Sequence, residues 1–185
     1  MLNNSGKRSL SSVSSLMVML LLFAGSSIGA FLPGFQELLE TRPVLETGRF
    51  YRIGVPAHED WADTNFDVKA GQWVRFQARG GISLQQGNPS GFCGPDGLPF
   101  STGQQPLPET NFGALIGKLV RLISIEIDEE TGEETRNELV EYFYIGSSRS
   151  VEMPIDGSLY LGINELVVAD NSGILSVEFE LVERD

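Results

Sequence analysis

Cysteine and histidine, two residue types that often carry chemistry, are almost absent from this chain of 185 residues. The one cysteine, Cys93, excludes an intrachain disulfide. The one histidine, His58, stands among acidic residues, and the chain supplies hardly any nitrogen or sulfur partners for a zinc site around it. A Ser-His-Asp triad would need the same His58, and no residue is marked as its nucleophile. We therefore expect surface exposure for His58 and an unreactive role for Cys93.

Signature motifs of common enzymes are also missing. The sequence has neither a Gly-x-Ser-x-Gly elbow nor a glycine loop that could cradle a phosphate. Glycoside hydrolysis needs only two suitably spaced carboxylates, and the acidic residues of this chain leave that alternative open. Our expectation is that the protein is not an enzyme.

Basic residues are scarce, which bears on the class of partner. The chain has 13 Lys and Arg against 25 Asp and Glu residues, so its formal net charge is −12. Such a chain repels phosphate backbones, which excludes nucleic acid as the expected partner. Hydrophobic residues make up 41% of the chain, enough for a packed core.

Residues 1–30 have the order of a secretory signal peptide: a basic pair, an apolar run over residues 16–24, and then small residues. We expect cleavage near Ala30 and a connector over residues 31–48. The alternative is an uncleaved membrane anchor, because residues 16–35 are long enough to cross a bilayer. Either interpretation predicts a secreted, periplasmic or cell-surface protein, with a membrane as partner only if the segment stays attached.

The rest of the chain, residues 49–185, has the pattern of an all-β domain. Hydrophobic and polar residues alternate with a period of two, and Gly-containing turns separate the runs, which predicts an antiparallel β-sandwich. The predicted strands are 49–55, 73–78, 115–127 (as one strand or two), 139–145, 159–163 and 175–182. The acidic segment 128–138 is expected to be a solvated hairpin tip. The Gly- and Pro-rich segment 85–113 is either an irregular insertion or a functional loop.

An oxygen-rich segment lies between the last two predicted strands. Asn164 and Glu165 begin it, and Asp170 and Asn171 end it, before Ser-Gly. Carboxylate, amide and main-chain oxygens are the ligands that calcium prefers. The same residues also form an ordinary turn sequence, so spacing alone leaves a turn and a calcium site open.

Several short blocks occur in an order that resembles the PA-I-type galactophilic lectin family. The blocks are WADT at 61–64, DVKAGQWVRFQARG at 67–80, GPDG at 94–97, GALIG at 113–117, FYIG at 143–146, GSLYLGINE at 157–165 and DNSGILSV at 170–177. Together they span about residues 49–183. The resemblance implies a galactose-binding-domain-like jelly roll that binds sugar through one loop-bound calcium ion (Ca2+).

Carried over by position, the resemblance implies a set of site residues. Calcium would be held by Glu165, Asp170 and Asn171, with main-chain carbonyls of Leu84 and of Val168 or its neighbour Val167. Asn164, Glu165, Asp170 and Asn171 would contact the sugar. The family's His-Pro-Asp-Gln-like sugar-contacting stretch is replaced here by residues 104–109, of which Gln105 and Glu109 are predicted to face the ligand.

Two further points remain open at this stage. The exposed aromatic candidates for stacking on a sugar ring are Trp61, Trp73, Phe92 and Phe100, although each fits core or edge packing as well.

The favoured hypothesis is a calcium-dependent lectin-like module with a galactose-like ligand. The alternatives are a structural or adhesion sandwich, with structural calcium or none, and a small glycosidase. The oligomeric state is open.

Overall fold

The computed structural model describes residues 42–103 and 105–183, so the predicted signal peptide and most of the connector lie outside the described residues. Nine strands are present in this part of the chain. They are β1 (Phe50–Pro56), β2 (Ala62–Val68), β3 (Trp73–Ser83), β4 (Phe92–Cys93), β5 (Leu115–Ile127), β6 (Glu134–Tyr144), β7 (Ser148–Glu152), β8 (Gly157–Ile163) and β9 (Ser172–Val182).

The strands form two antiparallel sheets. One sheet has the order β1-β9-β3-β4. Strand β7 belongs to the same sheet: it pairs with the first half of β3, on the edge where β4 pairs with the last residues of β3. The second sheet has the order β2-β8-β5-β6. The described residues contain no α-helix, only a short 3-10 turn at Pro89–Gly91. The predicted all-β sandwich is confirmed. Across the same described ranges, we find no helix with the length and apolar character needed to span a membrane.

Alternation along the strands builds the core between the sheets, as predicted. In β3, Val74 and Phe76 are fully buried while Arg75 and Gln77 are exposed. In β9, Leu175, Val177 and Phe179 are buried, and the ring of Phe179 packs edge to face on Phe66 of β2 in the opposite sheet, with 6.2 Å between centroids. Each fully buried aliphatic or aromatic side chain contributes about 1.5–3 kcal/mol through removal of apolar surface from water. Packing of the two sheets on this core determines which loops lie together at each end of the sandwich.

Three strands escaped the sequence analysis because their patterns are polar or short. β2 reads ADTNFDV, and it is interrupted by Asn65, whose φ is 61°. Its inward hydroxyl, on Thr64, is buried and donates to the carbonyl of Leu159 at 2.7 Å. β4 has two residues, and β7 is an edge strand of five. Hydrophobic periodicity carries no signal for such segments.

The β5–β6 hairpin is longer than predicted. β5 is one continuous strand over the predicted range, but β6 begins at Glu134, inside the segment expected to be the turn. The acidic side chains between the strands are exposed, as predicted. The strand extends further because its register with β5 continues to the pair Ile127 and Glu134, beyond the bulge near Leu122.

A polar contact links two of the sequence blocks quoted above. Asp96, in the turn of residues 94–97, accepts hydrogen bonds from the Ser147 N–H at 2.8 Å and the Tyr144 hydroxyl at 3.3 Å. Gly146 lies between them with φ of 69°, and a Cβ there would meet Asp96 Oδ1 at 2.6 Å. The Ser147 N–H hydrogen bond outweighs partial burial and lowers the pKa of Asp96. This contact anchors one end of the long 94–114 loop.

We expect Asp96→Ala to lower the free energy of unfolding by about 1 kcal/mol near pH 7, since the Ser147 N–H loses its acceptor. A lowered folded-state pKa contributes stability that is present above about pH 4 and is lost as pH falls through the folded value. The difference between the two proteins in urea unfolding should therefore shrink at about pH 2.5. An equal difference at both pH values would contradict the assignment.

Candidate functional site

Three loops meet at one end of the sandwich, where β8 ends and β9 begins. The Gln86 N–H donates to the Asp170 carbonyl at 2.8 Å, which joins the loop after β3 to the 164–171 loop. The Ala57 N–H donates to the Gly173 carbonyl at 3.0 Å, which adds the loop between β1 and β2. These backbone bonds bring the oxygen-rich segment against residues distant in sequence.

Asn171 is the central residue of this junction. Its side chain is buried, with 5% exposure. Its Nδ2 donates to Glu165 Oε2 at 2.7 Å and to the Ala57 carbonyl at 3.2 Å. Both neighbours are acceptors, so they fix the orientation of the amide. Its Oδ1 is buried without a hydrogen-bond partner, the one such side-chain atom in the described part of the chain. A buried unpaired acceptor costs about 1–3 kcal/mol unless a bound ion, a ligand or a water supplies its partner.

Two carboxylates neighbour Asn171: Glu165 accepts the hydrogen bond from its amide, and Asp170 precedes it in the chain. Asn171 itself is not among the residues that line the pocket described next. Glu165 is half-buried, and its pKa is raised by burial, with a further contribution from the charge of Asp170, against the hydrogen bond from Asn171. Glu165 and Asp170 line one pocket of about 440 Å³. The structure thus brings these two predicted residues to one pocket. Two negative charges in one pocket repel each other, which a bound cation would offset.

Leu84 and Val168 were predicted to supply carbonyl oxygens. Leu84 lines the pocket, and its buried side chain packs over Gly113, where any Cβ would clash. The Val168 carbonyl accepts the Asn171 N–H at 3.0 Å, and its side chain is buried. Leu84 therefore reaches the pocket, whereas the Val168 carbonyl already serves to hold Asn171 in place.

Asn164 has a different environment from its neighbours. It is fully buried, its Oδ1 accepts the Leu107 N–H at 2.9 Å, and its Nδ2 donates to the carbonyls of Leu107 and Asn111. Both polar ends of this side chain are thus used by the 94–114 loop. In this arrangement Asn164 holds the loop.

The two residues predicted to replace the family's sugar-contacting stretch are separated by the structure. Gln105 is buried at 5% exposure, accepts from Thr102, and donates to the carbonyls of Leu107 and Thr110. Glu109 is exposed and is not among the residues that line the pocket. The geometry gives Gln105 a role inside the loop.

The remaining pocket lining was largely missed by the sequence analysis. Apolar lining comes from the 94–114 loop and polar lining from residues 84–91. The residues are Leu98, Phe100 and Phe112 on the first loop, and Gln85, Asn88, Ser90 and Gly91 on the second. Of these residues, only Phe100 had been named, as one of the four stacking candidates. The other lining residues show no sequence pattern, because they meet only when the 94–114 loop folds back over the end of the sheets.

The other aromatic candidates pack on sheet surfaces. Trp61 stacks on Tyr142 at 5.7 Å between ring centroids, and the Lys118 ammonium lies 4.4 Å from the Trp61 ring centroid. Phe92 covers Gly81, and Trp73 is half-buried in β3. None of the three lines the 440 Å³ pocket.

Cys93 and His58 do not build a site. Burial raises the pKa of the Cys93 thiol to about 11, so the reactive thiolate is disfavoured. His58 is exposed, near Glu59. Within residues 42–103 and 105–183, no cluster of three or more His, Cys, Asp and Glu side chains is suited to a metal. A metal at the sheet end would therefore rely on amide and main-chain oxygens besides Glu165 and Asp170.

No family model matches this chain, and no curated protein matches it. Among solved structures, the chain is similar to the N-terminal domain of EclA, described as a PllA-like lectin. The identity is 19%, the match covers 71% of this chain and 96% of that chain, and the TM-score is 0.47. A likeness this distant does not transfer any site residue.

We expect Asn164→Ala to lower the free energy of unfolding by about 2–4 kcal/mol, because a fully buried side chain is lost and the Leu107 N–H and two carbonyls lose their partner. Amide hydrogen exchange at Leu107 should accelerate with it. Asn137→Ala is the matched control, since Asn137 makes side-chain hydrogen bonds on the exposed hairpin and its loss should cost under about 0.5 kcal/mol. Equal losses in both variants would contradict the role given to Asn164.

Proposed function

We propose that this chain is an exported, calcium-dependent carbohydrate-binding module. The observation that carries the proposal is the buried Asn171 Oδ1, which has no partner and lies on a side chain bonded to Glu165. An oxygen that must be satisfied, next to a carboxylate with a raised pKa, matches the needs of a hard cation better than those of an apolar ligand.

The donor set fits calcium in kind. Calcium takes about six to eight oxygen ligands from carboxylates, amides and main-chain carbonyls. Asn171 Oδ1, Glu165 and Asp170 would hold the ion, with the Leu84 carbonyl as a further donor. When bound, the ion would supply open coordination positions that exchange water for two sugar hydroxyls.

The chain's own residues have separate tasks in this proposal. The Val168 carbonyl holds the Asn171 backbone, and the Gln86 N–H holds the Asp170 carbonyl. Both contacts fix the donors before any ligand arrives, which reduces the ordering cost of binding. The carboxylates of Glu165 and Asp170 would accept hydrogen bonds from sugar hydroxyls. The proposed role is binding without catalysis, so chromogenic glycosides should not be turned over.

Export follows in this proposal from the signal-peptide pattern of residues 1–30, with the secreted, periplasmic or cell-surface space as the site of action. The high net negative charge agrees with a partner other than nucleic acid. Galactose is the sugar that the sequence resemblance suggests, and a panel of sugars is needed to identify the ligand.

Calorimetric titration of the metal-free protein tests the ion site. We expect saturable calcium binding with one site, and we expect Asn171→Ala and Asp170→Asn to weaken it by about 100-fold, because each removes a donor oxygen or its charge. Glu130→Gln, which removes one charge from the exposed hairpin tip, is the control and should leave the affinity unchanged. Unaltered calcium affinity in both site variants would refute the site.

Thermal melting separates sugar binding from a purely structural ion. A ligand at about 100 times its Kd stabilises the folded state by about 2.7 kcal/mol, so calcium should raise the Tm and a chelator should reverse this. The proposed function predicts a further rise when sugar is added in the presence of calcium and none in the presence of chelator. A rise with calcium alone, and none with any sugar, would favour the structural alternative.

A further inference from the structure

Phe100 presents an aromatic ring to solvent at the mouth of the site. Phe100 is 50% exposed as a residue, and it lines the same pocket as Glu165 and Asp170. Its inner face stacks on Phe112, with 5.4 Å between centroids and 22° between planes. An exposed apolar ring beside carboxylates gains free energy when a ligand with both apolar and polar surface covers it.

The backbone holds Phe100 in place. The Phe100 N–H donates to the Leu98 carbonyl at 2.7 Å, and its own carbonyl accepts the Phe112 N–H at 2.7 Å. The Leu98 N–H donates to the Phe112 carbonyl at 2.8 Å, and Gln105 and Asn164 tie the following residues. A ring fixed by these contacts loses little conformational entropy when a ligand binds.

We propose that Phe100 is the specificity-determining residue of the site and stacks on the C–H face of a neutral hexopyranoside. This rests on the proposed calcium-dependent function. A pyranose ring has hydroxyls at its edge and clustered C–H groups on a face, so it satisfies the carboxylate side and the phenyl ring together. The two chemistries lie within one pocket of about 440 Å³, the size of a small-molecule site.

The lining of the pocket favours neutral sugars. It contains the carboxylates of Glu165 and Asp170, whose charges a bound calcium ion would offset, and, among the described residues, no Lys, Arg or His. The carboxylate of a uronic acid would lose hydration in the pocket with no basic side chain to pair with it, so its binding is disfavoured. Neutral pyranosides meet no such penalty.

Calorimetry in saturating calcium tests this inference with methyl galacto-, gluco- and mannopyranosides and methyl glucuronide as probes. We expect at least one neutral pyranoside to bind and the glucuronide to bind more weakly. Phe100→Ala should weaken the neutral sugar about tenfold and leave calcium affinity unchanged, whereas Phe100→Trp should stay within about threefold. Phe92→Ala is the matched control, because Phe92 is exposed outside the pocket, and it should bind sugar normally.

The outcomes distinguish the two proposals. If the unaltered protein binds calcium and a methyl pyranoside, and Phe100→Ala binds that sugar equally well, the stacking role is wrong and the proposed function stands. If no sugar binds the unaltered protein, both proposals fail. If sugar binds equally well in the presence of chelator and its binding depends on Phe100, the calcium dependence in the proposed function is wrong and the stacking role stands.

Discussion

The amide of Asn171 is the contact on which the candidate site depends. It joins the β1–β2 loop to the 164–171 loop through Ala57 and Glu165, and it does so with its nitrogen alone. The geometry therefore leaves the amide oxygen buried and unpaired. Such an atom destabilises the fold unless an ion, a ligand or a water pairs with it. The proposed cation follows from this arrangement, whereas the raised pKa of Glu165 comes from its burial and from the charge of Asp170, against the hydrogen bond from Asn171.

The sandwich places these groups at its end. β8 and β9 belong to different sheets, so the 164–171 loop must cross from one layer to the other, and it does so beside the 84–91 loop. The 94–114 loop then covers the junction, held by Asn164 and Asp96. Rigid strands and a tied loop leave the pocket little freedom, which suits recognition of a small ligand.

Much of this fold was predictable, because period-two alternation in β3 and β9 reflects burial directly. β2 was not predictable from this alternation, since its inward-facing residue Thr64 is polar and makes a hydrogen bond to the Leu159 carbonyl instead of an apolar contact. Glu165, Asp170 and Asn171 became candidate ligands because oxygen-rich residues cluster in this segment and because the segment resembles the lectin family. Asn164 has the same amide group as Asn171, yet it hydrogen-bonds the backbone of the 94–114 loop. The residues around Asn164 in the sequence do not indicate this difference.

The most direct test of the account is a crystal structure of the protein saturated with calcium. We predict an ion within about 2.3–2.6 Å of Asn171 Oδ1, with oxygens of Glu165 and Asp170 completing its shell. Sugar hydroxyls would then occupy the remaining positions next to Phe100. A hydrogen-bonded water or protein N–H on Oδ1, with no ion in the calcium-saturated crystal, would contradict the central claim.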